Sequence, residues 1–240
     1  MQFNGALQLS ENSLDREFFE SDISAGLAEQ DSVELVAGIL PVFYPKGGTF
    51  FVEGQAAAGV FILRSGRAKE SMVSSEGKTA IVRVVGPGAV LGVSAVLTGE
   101  LHDATVETLE PSQADFVRKA LFLHLMKTSG ELGQRIAHQL SVNCKEAYAT
   151  IRCLGLSGTV AGRVARLLLY WAGCPLANRD AGGVRIRVTL THEEISQSIG
   201  STRETTSRIL GDFRKKKWIT TNGSLWKIVD EDAIRSLAAA

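Results

Sequence analysis

Cysteine is scarce in this sequence, and long apolar runs are missing. The chain has three cysteines, Cys144, Cys153 and Cys174, an odd number at wide spacing that fits neither a disulfide framework nor a zinc site. No apolar stretch reaches the roughly 20 residues that a membrane span needs, and the N-terminus lacks a basic segment followed by an apolar block. We therefore expect a cytoplasmic protein in a reducing compartment, without membrane contact.

Residue patterns for metal binding and for catalysis are also lacking. The histidines are scattered along the chain, and we expect surface or structural roles rather than metal ligation for His102, His124, His138 and His192. The sequence contains no nucleophile–base pair, metal cluster or phosphate-binding loop. It therefore predicts neither a bound metal nor enzymatic activity.

Charge is unevenly divided along the 240 residues, although the formal net charge is zero. Residues 157–240 hold 13 Lys and Arg against 8 Asp and Glu, a net charge of +5. Residues 1–156 hold 13 against 18, a net charge of −5. A basic C-terminal part favours contact with nucleic-acid phosphates, and the acidic remainder would stay away from them.

The stretch LTHEEISQSIGSTRETTSRILGDF has the pattern of two short helices joined by a tight turn. Thr191 is a suitable N-cap for the first helix, and Glu194 three residues later completes a capping box. Gly200 permits the positive φ that a sharp turn needs, and Ser201 or Thr202 caps the second helix. The predicted inward face of the second helix is Thr206, Ile209, Leu210 and Phe213.

The outward face of the second helix carries Arg203, Glu204, Ser207 and Arg208, which suits the DNA major groove. Arg can take both guanine acceptors with its fork, and Glu can accept from the cytosine amino group. Hydroxyl groups at the helix starts can donate to phosphates, where the helix dipole already favours an anion. The alternative is an ordinary solvated helix pair, in which Glu204 pairs with Arg208.

A cationic run and two strand-like segments follow the second helix. The run extends from Arg214 to Lys217, and the turn between residues 218–220 and 225–229 contains Asn222-Gly223, a strong hairpin signal. Two helices followed by a β-hairpin predict a winged helix that binds double-stranded DNA. The residues predicted to contact DNA are Thr191, Ser201, Thr202, Arg203, Glu204, Ser207, Arg208, Lys215, Lys216 and Lys217.

Short β-type runs with glycine punctuation occupy the chain from about Val42 to Val117. Many short strands at close turn spacing predict an antiparallel barrel or sandwich. Before this region, we expect a loose arm over residues 1–20 and one or two short helices over residues 21–40. Nearer the C-terminus, residues 174–183 are predicted to form a loop because glycine, proline and asparagine are frequent there.

The sequence resembles the family of the cyclic-AMP receptor protein and the fumarate-nitrate regulator, the Crp/Fnr family. The resemblance lies in LTHEEI, GSTRETTSRIL and the wing, and also in FVEG, FILRSG and GPGAVLG of the N-terminal half. It extends from about residue 40 to the end. It implies an α+β fold with an antiparallel β-roll of the cyclic-nucleotide-binding type, a long dimerisation helix and a C-terminal winged helix-turn-helix.

The resemblance also implies a function. In the family, the positions that match Arg203, Glu204 and Arg208 read bases, and a homodimer binds an inverted repeat with half-sites similar to TGTGA. RNA polymerase is the implied protein partner. The sequence is compatible with an activator and with a repressor of transcription.

The effector motif departs from the family pattern. In nucleotide-binding rolls, a Gly-Glu pair opens a short helix, and an Arg further along neutralises the phosphate. Here Val93 follows Gly92, and His102-Asp103-Ala104 stands where Arg-Ser/Thr-Ala would fall. An Asp beside a cyclic phosphate is repulsive, so we do not expect cyclic AMP to bind in the usual mode.

The sequence does not identify the effector, and it does not exclude a cyclic nucleotide as the effector. Family members with an iron–sulfur cluster use closely spaced N-terminal cysteines, which are missing before Cys144. We expect neither such a cluster nor haem. The candidate effector pocket is Gly92, Val93, Ser94, Ala95, His102, Asp103, Ala104 and Tyr148, the last because helix residues near its position reach the effector across the dimer in the family.

A heptad-like stripe marks a long helix between the two halves. Its members recur at steps of three and four residues: Leu132, Ile136, Leu140, Asn143, Ala147, Ile151 and Leu154. Such a stripe is either the core stripe of one subunit or a dimer interface, and its position between roll and winged helix favours the interface. Asn143 would then fix the pairing register. Glycines after Leu154 suggest a hinge, so the predicted domains are residues 1–128, 129–156 and 157–240.

A function from another class is a cyclic-nucleotide-type ligand-binding subunit that acts on a protein partner. This alternative explains the roll, but it leaves the arginines of the second helix and the lysine run without a role. A salt-dependent shift on duplex DNA would separate the two functions.

Overall fold

The computed structural model describes residues 29–156, 158–173 and 177–239; the arm predicted over residues 1–20 lies outside this part of the chain. The described chain is an α+β structure with an N-terminal β-roll, a long helix and a C-terminal winged helix. The predicted fold class is therefore confirmed. Among the described residues, no helix is long and apolar enough to cross a lipid bilayer.

The roll consists of two four-stranded antiparallel sheets. Its strands are β1 Ile39–Tyr44, β2 Thr49–Phe51, β3 Gly59–Ser65, β4 Ala68–Val73, β5 Thr79–Val85, β6 Val90–Leu91, β7 Thr105–Thr108 and β8 Ser112–Arg118. One sheet has the order β1-β8-β3-β6, and the other has the order β2-β7-β4-β5. The sheets cover each other, so their apolar faces are removed from water.

Aromatic and aliphatic side chains fill the interior of the roll. The rings of Phe50 and Phe61 pack edge to face with centroids 5.2 Å apart, and Leu63 and Leu91 are fully buried in the same region. Strands this short are not stable in isolation, so burial of these side chains holds the two sheets together.

Within the described residues, four helices accompany the roll: α1 Glu29–Gly38, α2 Val93–Thr98, α3 Lys119–Thr128 and α4 Gly130–Leu156. The helical prediction for residues 21–40 is wrong at its end, because Ile39 and Leu40 begin strand β1 and pair with Val117 and Phe116 of β8. Pairing with β8 gives these residues ladder hydrogen bonds that a helix end could not supply. Helix α4 has 27 residues and connects the roll to the C-terminal part.

The C-terminal part contains helices α5 Val160–Ala172, α6 His192–Ser198, α7 Arg203–Lys215 and α8 Glu231–Ala239, and strands β9 Asn178–Asp180, β10 Gly183–Arg187, β11 Ile219–Asn222 and β12 Leu225–Ile228. The strands form a sheet in the order β11-β12-β10-β9. Strand β9 corrects the prediction of a loop over residues 174–183, of which residues 174–176 lie outside the described part of the chain. Asp180 forms ion pairs of 2.8 Å to Arg185 and 2.9 Å to Lys227, which favour the pairing of this polar segment.

The roll and the C-terminal part share an apolar core. Ile81 of β5 and Leu109 after β7 are 3% and 4% exposed, and both lie in the cluster formed by the C-terminal helices. Leu168 of α5 and Ile195 of α6 belong to the same cluster. This packing places the winged helix directly against strand β5 of the roll.

Gly66 and Gly77 provide a matched test of the turns in the roll. Both have positive φ, 87° and 79°. A Cβ on Gly66 would lie 2.2 Å from Ser112 Oγ, whereas nothing lies within 4 Å of a Cβ on Gly77. We expect Gly77→Ala to lower the free energy of unfolding by about 1 kcal/mol, from backbone strain alone.

Gly66→Ala adds a steric clash to that strain, so we expect a loss of about 3 kcal/mol or more. Urea unfolding followed by circular dichroism measures both variants. Equal losses would show that the contact with Ser112 does not restrict this turn.

Candidate functional site

Two helix caps organise the predicted DNA-facing helices. The Thr191 N–H donates to Glu194 Oε2 at 2.8 Å, and the Glu194 N–H donates to the Thr191 hydroxyl at 3.2 Å, which forms the predicted capping box. Gly200 has a φ of +60° in the turn, and the hydroxyl of Thr202 accepts from the Thr205 N–H at 3.3 Å to cap α7. Ser201 precedes the cap and is half-buried. Local hydrogen bonds therefore fix the angle between α6 and α7.

The inward face of α7 is buried as predicted. Its members are Thr206, Ile209, Leu210 and Phe213. They pack in the same cluster as Ile195 and Ile199 of α6, and Phe213 lies against Trp218 with ring centroids 5.3 Å apart. Burial of this face fixes the rotation of α7 about its axis, so the opposite face points to solvent.

The outward face of α7 presents Arg203, Glu204 and Arg208, all exposed. Within the described part of the chain, none of these side chains forms a hydrogen bond or an ion pair, so the alternative pairing of Glu204 with Arg208 is not present. An acceptor flanked by two planar guanidinium groups is therefore available to an external ligand.

Ser207 and Thr191 are less available than the sequence suggested. The Ser207 hydroxyl lies 2.8 Å from His192 Nδ1, and the Thr191 hydroxyl belongs to the capping box. Burial lowers the pKa of His192, and the charges of Arg214 and Arg203 lower it further. The ring is therefore neutral at neutral pH, and its contact with Ser207 joins α6 to α7.

The lysine run lies exposed where α7 ends and the hairpin begins. Lys216 Nζ lies 4.5 Å from the ring centroid of Trp218, a cation–π contact that orients this side chain. Lys217 has a φ of +58°, and its N–H donates to the Arg214 carbonyl at 3.0 Å. Lys215 is the last residue of α7. The run thus adds exposed positive charge at the C-terminal end of α7.

Glu194 makes a second contact that the sequence did not suggest. Its Oε1 lies 2.7 Å from Lys69 Nζ of strand β4, and both side chains are largely buried. Although burial opposes ionisation, hydrogen bonds from Lys69 and Thr191 lower the pKa of Glu194. A separation of 125 residues leaves no local signal for this ion pair. The residue that caps α6 therefore also attaches it to the roll.

A pocket inside the roll, the roll pocket, contains seven of the eight residues predicted for the effector site. They are Gly92, Val93, Ser94, Ala95, His102, Asp103 and Ala104. Tyr148 of the same chain does not line it, and its side chain is 60% exposed on α4. That Tyr148 reaches the effector from a partner chain stays a prediction. The roll pocket has a volume of about 110 Å³. Sites for small molecules usually measure about 300–1,000 Å³, so the roll pocket is small for a nucleotide.

The ring of His102 lines the roll pocket. It is buried, stacks on Phe51 with centroids 3.8 Å apart, and lies 3.1 Å from the position that a Cβ on Gly92 would take. Burial lowers the pKa of His102, and the opposing effect of Asp103 is smaller. The ring is therefore neutral at neutral pH and offers no charge to a phosphate.

Arg83, which sequence analysis missed, lines the roll pocket as a cation. Its Nε and Nη2 lie 2.5 and 2.8 Å from the two carboxylate oxygens of Glu70, and Nη1 also donates to Asn143. A phosphate would have to break this largely buried ion pair, which costs free energy. The residues present therefore do not fit a cyclic nucleotide held in the usual mode.

The predicted dimer stripe needs correction at its N-terminal end. Leu132 and Ile136 are 1% and 2% exposed and lie in an apolar cluster with the roll, against which Leu140 also packs. Asn143 accepts from Arg83 of its own chain. These residues form the core stripe of one chain, because α4 lies directly on the roll.

The C-terminal end of the stripe divides between two faces. Ala147 and Leu154 are half-buried, and Leu154 Cδ2 lies 3.2 Å from the position of a Cβ on Gly200. Ile151 is 62% exposed. The face of α4 that points away from the chain, which we call the outer stripe, consists of Ala137, Ser141, Cys144, Tyr148 and Ile151.

Both halves of the chain match described protein families. Residues 41–129 match the cyclic nucleotide-binding domain, and residues 162–237 match the Crp-like helix-turn-helix domain. The two matched regions coincide with the roll and with the winged helix.

Similar proteins cover most of the chain. The global nitrogen regulator of Synechococcus elongatus is 30% identical over 196 residues, which are 78% of this chain and 85% of that protein. A CRP-like cAMP-activated global transcriptional regulator of Mycobacterium tuberculosis is 24% identical over 221 residues, 92% of this chain and 98% of that protein. Among solved structures, a CRP-family transcriptional regulator of Thermus thermophilus has a TM-score of 0.68 at 25% identity and covers 83% of this chain and 97% of its own. Since the similarity spans both the roll and the winged helix, the chain belongs to the Crp/Fnr family of transcription regulators.

Proposed function

We propose that this chain is a homodimeric DNA-binding regulator that reads an inverted repeat with half-sites similar to TGTGA. The observation that carries this proposal is the outward face of α7, where Arg203, Glu204 and Arg208 are exposed without internal partners. The family membership supports it. RNA polymerase is the protein partner that we propose from the same membership.

The contacts of α7 with DNA follow from its chemistry. The forks of Arg203 and Arg208 suit the two acceptors of guanine, and the Glu204 carboxylate suits the amino group of cytosine. Lys215, Lys216 and Lys217 suit phosphates, because they lie beyond the end of the base-reading face. The capping hydroxyl of Thr202 lies at the helix start, where the helix dipole favours a phosphate.

The outer stripe of α4 supports the dimer. Its residues recur at steps of four and three, the spacing of a two-helix seam. Tyr148 and Ile151, 60% and 62% exposed, would be covered by the same residues of a second chain. We therefore propose three parts with the boundaries predicted from the sequence: a roll, a dimer helix and a winged helix.

Base reading by Glu204 is the first test of the function. We expect Glu204→Ala to lose about tenfold in discrimination at one base pair, while non-specific affinity stays level or rises, because a charge that repels phosphates is removed. Competition binding with every single-base variant of a selected inverted repeat measures the effect. An unchanged base preference at every position would exclude Glu204 from readout.

The lysine run provides the matched contrast. Changing Lys215 and Lys217 together to Ala should weaken binding to specific and random duplexes alike, and it should flatten the salt slope by about one unit for each phosphate that is no longer neutralised. Lys216 is left in place because it contacts Trp218. A change in base preference would contradict a purely electrostatic role.

The outer stripe predicts the effect of a charge on α4. We expect Ile151→Asp to halve the molecular mass in solution, because two carboxylates would face each other across the twofold axis. Val73→Asp, at an apolar site that is 51% exposed on the roll, is the control and should keep the parental mass. Light scattering after size-exclusion chromatography measures both, and an Ile151→Asp dimer would refute this seam.

The roll pocket predicts weak or absent binding of cyclic AMP. The pocket is small, His102 is neutral, and the charge of Arg83 is compensated by Glu70. Isothermal titration calorimetry should therefore give no saturable curve in the micromolar range. A micromolar curve that is lost on His102→Trp, which would fill the pocket further, would contradict this prediction.

A further inference from the structure

A second cavity lies between the roll and the C-terminal part; we call it the interdomain cavity. Its volume is about 490 Å³, more than four times that of the roll pocket at about 110 Å³. Strand β5 and helices α4, α5 and α6 contribute its walls. The volume falls within the range of about 300–1,000 Å³ that is usual for small-molecule sites.

Apolar side chains from both halves of the chain form most of the wall. Val82 and Val84 come from the roll, Leu167 and Trp171 from α5, and Leu190 precedes α6. Trp171 is half-buried, so part of its ring faces the cavity. Such a wall favours a ligand with an apolar, flat or chain-like body.

The charged groups at the cavity are mainly cations. Arg83, Arg152 and Arg166 face a single carboxylate, that of Glu146. Glu146 accepts from the Tyr170 hydroxyl at 2.8 Å and lies 3.9 Å from Arg83. The wall therefore carries an excess of positive charge.

Arg152 differs from the other two arginines of the cavity. Arg83 is held by Glu70, and Arg166 Nε donates to the Ala238 carbonyl at 2.7 Å. Arg152 is exposed at the cavity and forms no hydrogen bond or ion pair within the described part of the chain. Its planar fork is therefore available to a carboxylate, sulfonate or phosphate group of a ligand.

We infer that the interdomain cavity binds a small organic anion with an apolar body, and that Arg152 takes the anionic group. Because the ligand would contact both β5 of the roll and α5 of the C-terminal part, its binding favours one orientation of the winged helix relative to the roll. This coupling to DNA rests on the function proposed above, whereas binding of the anion does not.

The walls explain how occupation would be transmitted. Thr150 of α4 donates to the Val82 carbonyl at 3.0 Å, and Ser198 at the end of α6 donates to the Glu194 carbonyl at 2.9 Å. Both Thr150 and Ser198 line the cavity. A ligand that moves these elements apart also strains the ion pair between Lys69 and Glu194.

The test uses a matched pair of fluorescent probes. 1-Anilinonaphthalene-8-sulfonate has an apolar body and an anionic group, and N-phenyl-1-naphthylamine has the same body without the sulfonate. With the full chain, we expect saturable binding of the sulfonate at one molecule per chain. Arg152→Gln should weaken the affinity for the sulfonate probe about tenfold, because the charge-assisted hydrogen bonds to the sulfonate are lost. The affinity for the neutral probe should change by less than about twofold.

Two further variants locate the site. Arg118→Gln removes an exposed arginine of the roll that lies outside the cavity. It should not change the affinity for either probe. Leu167→Trp, which fills the cavity, should weaken both. Sulfonate binding that is unaffected by Arg152→Gln would overturn the inference. This result is decisive by itself, so the test does not depend on whether Leu167→Trp folds.

The coupling is measured separately on a duplex that the chain binds. Saturation with the sulfonate should change the Kd for that duplex at least threefold in the parent and not in Arg152→Gln. An unchanged Kd with the probe bound would overturn the coupling and leave the binding site intact. A parent chain that binds no duplex even without the probe would instead contradict the proposed function.

Discussion

The ion pair between Glu194 and Lys69 connects helix α6 of the helix-turn-helix to the roll. Glu194 is also the residue that completes the capping box of α6. Lys69 also lies 3.6 Å from Glu107 of β7, so movement of α6 away from the roll would break the closer of its two ion pairs. Ile81 and Leu109 add an apolar contact beside this pair, since both lie in the core of the C-terminal part. Polar and apolar contacts therefore both join the roll to the C-terminal part.

Compensation of charge distinguishes the roll pocket from the interdomain cavity. In the roll pocket, Arg83 is paired with Glu70 and burial lowers the pKa of His102, so neither side chain offers an uncompensated charge to a phosphate. In the interdomain cavity, Arg152 is uncompensated and the apolar wall is larger. The proposed anion site therefore lies between the roll and the C-terminal part and not inside the roll. This location is suited to regulation, because a ligand there contacts both of the parts whose relative position it would control.

The helix-turn-helix could be predicted from the sequence because its determinants are local. The capping box spans Thr191 to Glu194, the turn needs only Gly200, and the inward face of α7 repeats with the helical period. The long helix was also predictable, but the partner of its apolar stripe was not. Periodicity predicts that one face of the helix is buried. It does not predict whether the same chain or a partner chain covers that face. Leu132 and Ile136 are covered by the roll of their own chain, so the outer stripe lies on another face.

By itself, the sequence determined the order of the elements and the winged helix, and it has Val93 and His102-Asp103 where the family resemblance implies Glu and Arg. These features follow from hydrogen bonds, turn residues and spacings within a few positions of each other. Only the tertiary structure decided that Arg83 is bound by Glu70 and Asn143, that Lys69 holds Glu194, and that a cavity with Arg152 opens between the domains. The partners in these contacts lie up to 125 residues apart. Strand register and domain packing bring them together, and neither can be read from a local pattern.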